Sequence, residues 1–283
     1  MATVSNRRVA VITGAQGGMG RSAARLLGRG YDLVLTDSNG PLLDDFVKSL
    51  RDEGYTVAAA IAGDLAQPAA VEALARAAEA AGKLGALVHT AGLSPALAGW
   101  EDILTVNVVA TVRLVAAFEP LLEPGAAAVL LASMAGHMAP AVPEIDAILA
   151  QPLDEVFLAR MRPYLEKLND PTDVHGLGNP AYALSKRAVI RLCEALAPAW
   201  GAKGARIISI SPGTIWTPMG RREAETNPAA AAVVHATPMQ RWGTPGDIAN
   251  AIEFLVSDRA SFITGCDLRV DGGVTPALAG VTF

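Results

Sequence analysis

Two kinds of segment alternate along the chain. Residues 8–13 (RVAVIT), 31–36 (YDLVLT), 56–61 and 84–89 are short, rich in β-branched residues and apolar without interruption. That is the pattern of strands buried on both faces of a parallel sheet. Residues 18–27, 42–50 and 71–81 are longer, with apolar positions at helical spacing; Leu42, Leu43, Phe46, Val47 and Leu50 share one stripe. Pro68 stands where the first turn of the third helix tolerates it. The alternation continues with a helix over about 100–118, a strand at 127–132, helices at 181–196 and 245–255, and strands at 205–210 and 266–270. Strand and helix in turn predict a parallel sheet covered on both faces. No shift of composition marks a linker and no repeat recurs, so the expected fold is α/β: a single doubly wound, Rossmann-type domain.

Residues 137–178 break the alternation. They hold no strand candidate, a short helix candidate at 146–150, and a helical stripe of Leu153, Phe157, Met161, Tyr164, Leu165 and Leu168 that Pro163 is expected to kink or divide. Asp170, Pro171, Thr172, Asp173, Gly176 and Gly178 then read as a loop. This segment is expected to be a helical insertion beside the main sheet.

Composition narrows the class. Hydrophobic residues make up 51% of the 283 and charged ones 18%, which excludes a disordered chain. Fifty-four residues are alanine, so the mean hydropathy of +0.32 overstates how apolar the chain is. The 20-residue charge-free run 124–143 contains Pro124, Gly125, Pro140 and Pro143 and makes a poor membrane helix. Residues 1–14 hold too short an apolar stretch for a secretory signal, so a cytoplasmic protein is expected. A net charge of −5 favours neither nucleic acid nor an anionic membrane. Cys193 and Cys266 form no ligand or redox motif, so reduced thiols and no metal are expected.

The candidate chemistry begins at Gly14-Ala-Gln-Gly-Gly18-Met19-Gly20, between the first strand and the first helix. Glycines admit positive φ and close approach of a ligand, and a helix start offers free N–H groups to a pyrophosphate. A glycine cluster also makes ordinary turns; the strand before it and the helix after it supply the context that nucleotide binding needs. Asp37 ends the second strand, 17 residues after Gly20, where a carboxylate accepts hydrogen bonds from ribose hydroxyls and repels a 2′-phosphate. No Lys or Arg stands at Gln16, Gly17, Ser38 or Asn39, so NAD(H) is expected over NADP(H). Tyr182 and Lys186, four apart, fall on one helix face. A free tyrosine is a poor base at neutral pH, but an ammonium neighbour and an oxidised nicotinamide stabilise its phenolate.

The spacing Gly-x-x-x-Gly-x-Gly together with Tyr-x-x-x-Lys resembles the short-chain dehydrogenase/reductase family, over essentially the whole chain. The resemblance implies that Ser133 bonds the substrate oxygen. It implies that the Asn107 backbone carbonyl holds a water leading from the lysine, though a buried helix asparagine with a purely structural role competes. Lys186 would also bond the nicotinamide ribose. Asp64 and Leu65 would meet the adenine, with a helix N-cap as the competing role of Asp64. Thr90-Ala91-Gly92 matches a family turn with threonine in place of asparagine, which puts that turn's polar bridge in doubt; His89 reads as a strand-end residue. Gly213, Ile215 and Thr217 would orient the nicotinamide, and the segment from Thr217 to about Trp242 would be a substrate lid, with Met219, Met239 and Trp242 candidates for an apolar pocket. The short 92–107 gap, the insertion, Asp271-Gly272-Gly273-Val274 and the Thr282-Phe283 end are similar to the bacterial 3α-hydroxysteroid dehydrogenase/carbonyl reductase group. That likeness implies a bulky apolar substrate such as a 3-hydroxy- or 3-oxosteroid. It also implies a homodimer rather than a homotetramer, because the insertion would obstruct packing through the Tyr182 helix. A catalytically silent NAD(H)-binding sensor or scaffold is the alternative function; an epimerase or dehydratase fits less well, lacking a longer C-terminal substrate domain.

Overall fold

The computed structural model describes residues 7–280, with backbone alone at 228–231. Residues 1–6 of the segment weighed as a secretory signal, and the Thr282-Phe283 end, lie outside the described residues. Seven parallel strands form one sheet. Strand β1 (Val9–Thr13) leads through α1 (Gly18–Leu27) to β2 (Asp32–Asp37), then through α2 (Gly40–Asp52) to β3 (Val57–Ala62). The chain crosses by α3 (Pro68–Ala81) to β4 (Leu84–His89) on the other side of β1, and the sheet order is β3-β2-β1-β4-β5-β6-β7. The order reverses between β1 and β4, and the crevice outside the carboxyl ends of those strands is where such a sheet takes a ligand.

Beyond β4 come α4 (Trp100–Leu104), a π-helical turn (Thr105–Ala110) and α5 (Thr111–Phe118). The expected 100–118 helix is therefore one run with a wide turn in its middle. Strand β5 (Ala127–Leu131) and α6 (Met134–Met138) follow, so the 124–143 run folds as strand, turn and short helix. The run Trp100–Leu121 is long and apolar enough to cross a bilayer, but it packs in the protein interior, with more than half its apolar window buried.

Residues 137–178 contain α7 (Pro143–Leu149) and α8 (Phe157–Leu168). Helix α8 runs through Pro163, which neither ends nor divides it. Pro163 and Ala159, whose carbonyl loses its partner there, both lie on the exposed face, where water replaces the missing bond. Phe157, Met161 and Leu165 are the buried stripe; Leu153 lies outside the helix and, like Leu168, is exposed. The stripe joins Ile145 and Ile148 of α7 to Ile103, Leu104 and Val108 beneath them and to Ala181 and Leu184 of α9 (Gly178–Ala202). Arg187 of α9 grips Asp146 of α7 through two bonds of 2.8 and 2.6 Å.

Helix α9 is longer than its periodicity suggested. Its last turn passes Pro198 and is held down by fully buried Trp200, whose carbonyl accepts the amide of Ala205 at 3.0 Å. Strand β6 (Arg206–Pro212) leads to α10 (Pro218–Thr226) and α11 (Pro228–Ala236), then α12 (Pro245–Val256), β7 (Asp267–Val270) and α13 (Val274–Leu278). One sheet face is covered by α1, α2 and α12 around Phe46, the other by α3, α5 and α9 around Phe118. Burying each phenylalanine is worth about 2–3 kcal/mol, so both helical layers are anchored and the carboxyl edge of the sheet is held open between them.

Candidate active site

The glycine turn has no room for side chains. Gly14 has φ +60°, and a Cβ on it would fall 2.8 Å from the Ala91 amide nitrogen. A Cβ on Gly20 would fall 2.2 Å from the Gly14 carbonyl oxygen, and one on Gly18 2.8 Å from Thr217 Cγ2. The turn thus packs against the β4 loop on one side and the start of α10 on the other. Helix α1 opens at Gly17 without a side-chain cap, which leaves its first amides to an anion. Asp37 accepts the Gln16 amide at 3.2 Å and the Asn39 amide at 3.1 Å, so its carboxylate is fixed at the rim of the turn. Arg21, one turn into α1, donates to the Gln16 carbonyl at 2.8 Å and lies over the Phe46 ring.

Gly14, Gly18, Met19, Gly20, Asp37, Asp64, Leu65, Gly92 and Thr217 line one groove of about 860 Å³. Gly213 and Ile215 instead line an adjoining pocket of about 470 Å³. A Cβ on Gly213 would sit 2.8 Å from Asp271 Cα, and Ile215 is buried in the core, bridged to Gly243. Asp64 does not cap α3. Its carboxylate accepts the Ala66 amide at 2.9 Å in a local turn, and the helix starts later, at Gln67. Thr217 accepts the Gly220 amide at 3.0 Å and so caps α10, the first helix of the lid segment. Of the three expected lid residues only Met219 lines the main groove; Met239 lines the smaller pocket, and Trp242 stacks edge-on to Trp216 at 5.0 Å.

Behind Gly92 lie the residues expected to carry proton chemistry. A Cβ on Gly92 would stand 3.3 Å from Lys186 Nζ and 3.2 Å from Asn107 Oδ1, so this glycine leaves room for both. Lys186 Nζ donates to the Leu131 carbonyl at 2.9 Å and lies 5.7 Å from the Tyr182 ring centre. Burial lowers its pKa to about 8, against the pull of the Glu223 carboxylate. Burial pushes the Tyr182 phenol well above its usual range; Glu223 adds to that and a hydrogen bond with Ser133 opposes it. The protein's own groups therefore keep the phenol protonated. Ser133 caps α6 by accepting the Ala135 amide at 3.2 Å, which leaves its own proton to donate.

Asn107, in the π-helical turn, is almost fully buried. Its carboxamide clamps Leu93, accepting its amide at 2.8 Å and donating to its carbonyl at 2.9 Å, and also donates to Ser185 Oγ at 3.1 Å. Its backbone carbonyl accepts Thr111 Oγ1 at 2.8 Å. With the Thr111 proton so committed, Thr111 Oγ1 accepts from His89 Nε2 at 2.8 Å, and His89 Nδ1 accepts from Thr13 Oγ1 at 2.7 Å. The network assigns a neutral imidazole. Burial first, then the Lys186 charge, lowers the His89 pKa to about 3. The bridge that threonine put in doubt survives: Thr90 Oγ1 donates to the Thr13 carbonyl at 2.7 Å, and the Ala91 amide donates to Thr13 Oγ1 at 3.2 Å.

Two residues at this site were not singled out from sequence, Ser94 and Glu223. Neither lies in a motif, and both reach the site only through the folded β4 loop and α10.

A family model described as short chain dehydrogenase matches residues 8–143, and one described as enoyl-(acyl carrier protein) reductase matches 173–275. The chain is 33% identical over 282 residues to a short-chain dehydrogenase/reductase of Alternaria brassicicola, covering 95% of this chain and 96% of that protein. It is 31% identical over 276 residues to galactitol 2-dehydrogenase (L-tagatose-forming) of Cereibacter sphaeroides, covering 94% of each. Among solved structures, a short-chain dehydrogenase/reductase of Brucella melitensis aligns with a TM-score of 0.72 at 28% identity, covering 94% of this chain and 96% of that one.

The histidine network predicts a pH dependence of stability. His89 titrates at about 3 when folded and near 6.5 when unfolded, so the unfolded chain takes up a proton first as pH falls. Its contribution is complete above about pH 6.5 and is lost on the way down to about 3, amounting to roughly 2 kcal/mol at pH 5. Urea unfolding at pH 7 and pH 5 checks this, and His89→Asn is expected to flatten the difference. An equal slope in the variant removes His89 from the account.

Proposed function

Because the chain belongs to the short-chain dehydrogenase/reductase family, and is an alcohol dehydrogenase or carbonyl reductase within it, we propose that it interconverts a bulky secondary alcohol and its ketone using NAD(H). The observation that carries this reading is the meeting of Tyr182, Ser133 and Lys186 behind a glycine cradle that a Cβ would fill. The cradle fits a dinucleotide. Gly14, Gly18, Met19 and Gly20 would hold its pyrophosphate, Asp37 its adenosine ribose, Asp64 and Leu65 its adenine. Gly92, Lys186, Gly213, Ile215 and Thr217 would hold the nicotinamide end. When bound, the nicotinamide supplies the hydride donor or acceptor and, oxidised, a positive charge.

The chain's own groups do the rest. Ser133 Oγ–H donates to the substrate oxygen and fixes it, and Tyr182 exchanges a proton with that oxygen. The protonated phenol favoured by burial is the form that donates to a ketone. Lys186 spends one proton on the Leu131 carbonyl, which leaves two for the ribose and for solvent exchange. The Asn107 backbone carbonyl, in the π-helical turn, would hold a water leading from that lysine. Leu93, Leu97 and Met219 offer an apolar wall for a bulky frame, and a 3-hydroxysteroid is one such frame. A silent NAD(H)-binding protein is the alternative. It is favoured only if NADH binds and a panel of steroid, cyclic and polyol substrates shows no turnover.

Residues 137–178 are read as an insertion within one catalytic domain. The insertion covers the apolar faces of α4 and α9 with its own helices. That covering supports a homodimer over a homotetramer built through α9, and a cytoplasmic location is part of the same proposal.

Three measurements test these readings. Tyr182→Phe is expected to lower kcat about 100- to 10,000-fold while NADH still binds; wild-type turnover overturns the mechanism. Asp37→Ala is expected to narrow the preference for NADH over NADPH by about tenfold, as losing hydrogen bonds to a charged group does; an unchanged ratio takes Asp37 out of the site. Light scattering is expected to give about twice the 29.2 kDa chain mass, and a fourfold mass overturns the dimer.

A further inference from the structure

Helix α10 starts beside the glycine turn and carries Met219 and Arg222 on one face, three residues apart; both line the main groove. Arg222 is exposed, and among the described residues its guanidinium has no hydrogen bond or ion pair to the protein. The neighbouring cations are committed. Arg21 donates to the Gln16 carbonyl and lies over Phe46, Arg221 lies over the Trp216 ring at 5.3 Å, and Lys186 is bound to the Leu131 carbonyl.

Among the described residues Arg222 is the one cation lining this groove, whereas Asp37, Asp64 and Asp102 line it with carboxylates. Asp37 and Asp64 do not take the arginine, because each accepts backbone amides of its own turn. A doubly charged anion entering such a groove meets repulsion. The start of α1 offsets it with about half an elementary charge, which leaves most of the anion uncompensated.

The helix fixes where the arginine leans. From Thr217 to Arg222 the axis rises about 7.5 Å. A helical side chain tilts toward the N-terminus and covers the turn before its own Cα. Arg222 therefore leans back toward the start of α10. That start is seated on the glycine turn, since a Cβ on Gly18 would fall 2.8 Å from Thr217 Cγ2. A free guanidinium thus overhangs the stretch of groove lined by Gly17, Gly18 and Pro218. Its planar fork can meet two phosphate oxygens at once.

We propose that Arg222 is a clamp for the dinucleotide's pyrophosphate, closing on it from α10 while the first amides of α1 hold it from the glycine turn. The inference rests on the NAD(H) reading and deepens it. The phosphates are gripped by two elements, and α10 is tied to the bound dinucleotide through Arg222.

The test is calorimetric binding of NADH and of ADP-ribose, which carries the pyrophosphate without the nicotinamide, to the full chain. Arg222→Ala is expected to weaken both by about tenfold, as losing hydrogen bonds to a charged group does. Arg222→Lys, which keeps the charge without the fork, is expected to recover part of the loss. The gap between wild type and Arg222→Ala is expected to narrow from about 0.01 M to about 1 M salt, as the screening length falls from about 30 Å to about 3 Å. Arg221→Ala, which removes the same charge one position away, is expected to leave both affinities unchanged. Circular dichroism confirms that each variant is folded. Unchanged NADH affinity in Arg222→Ala overturns the clamp. So does a loss confined to NADH, which assigns Arg222 to the nicotinamide end, or a gap that salt does not narrow, which assigns it a packing role. An equal loss in Arg221→Ala assigns the effect to net charge and overturns it as well. A raised KM for a ketone with NADH affinity intact overturns it and assigns Arg222 to the substrate. Each of these results leaves the NAD(H) reading standing. Failure of the wild type to bind either ligand overturns the clamp and that reading together.

Discussion

The site depends on one close approach, that of Gly14 to Ala91. Strands β1 and β4 are neighbours whose following chains depart in opposite directions, and the crevice exists because they part there. No side chain fits at Gly14, so the two turns touch through backbone. The contact is closed by Thr13, whose hydroxyl takes the Ala91 amide and whose carbonyl takes the Thr90 hydroxyl. A Cβ at Gly14 would wedge the turns apart, and both the phosphate cradle and the position of Gly92 would shift with them. Gly92 in turn leaves room for Lys186 Nζ, which a Cβ there would meet at 3.3 Å.

What was legible in the sequence was what is local. The buried strands show as uninterrupted apolar runs, the phosphate turn as glycines at a strand–helix junction, and the tyrosine and lysine as a pair four apart. What was not legible depends on neighbours. The π-helical turn at Thr105–Ala110 lies in an apolar run that reads equally well as ordinary helix, yet it is the turn that carries Asn107. Pro163 looked like a breaker because sequence does not show that the carbonyl it orphans faces water. Asp64 sits three residues before its helix cap because the chain makes a local turn first. Glu223 is one of several charges on α10 and acquires its setting only when that helix folds across the β4 loop.

Thr217 joins α10 to the glycine turn. Its methyl group occupies the space that a Gly18 side chain would need, while its hydroxyl caps α10. The start of α10 is thus set by the glycine turn itself.

The balance of charge around Lys186 follows from the same contacts. The lysine is buried, which drives its pKa down to about 8, close enough to neutrality for a second positive neighbour to discharge it. His89 is the candidate for such a neighbour, and it is held neutral by burial and by Lys186 itself. The tautomer that results donates from Nε2 to Thr111, which frees the Thr111 proton for the Asn107 carbonyl. A protonated His89 would leave Nδ1 facing Thr13 as a donor, turning the Thr13 hydroxyl proton out of its bond. The Thr13 oxygen would then have to accept from both the imidazole and the Ala91 amide that closes the β1–β4 junction. Neutrality at His89 therefore keeps a second positive charge away from the lysine and keeps the Thr13 proton in its bond.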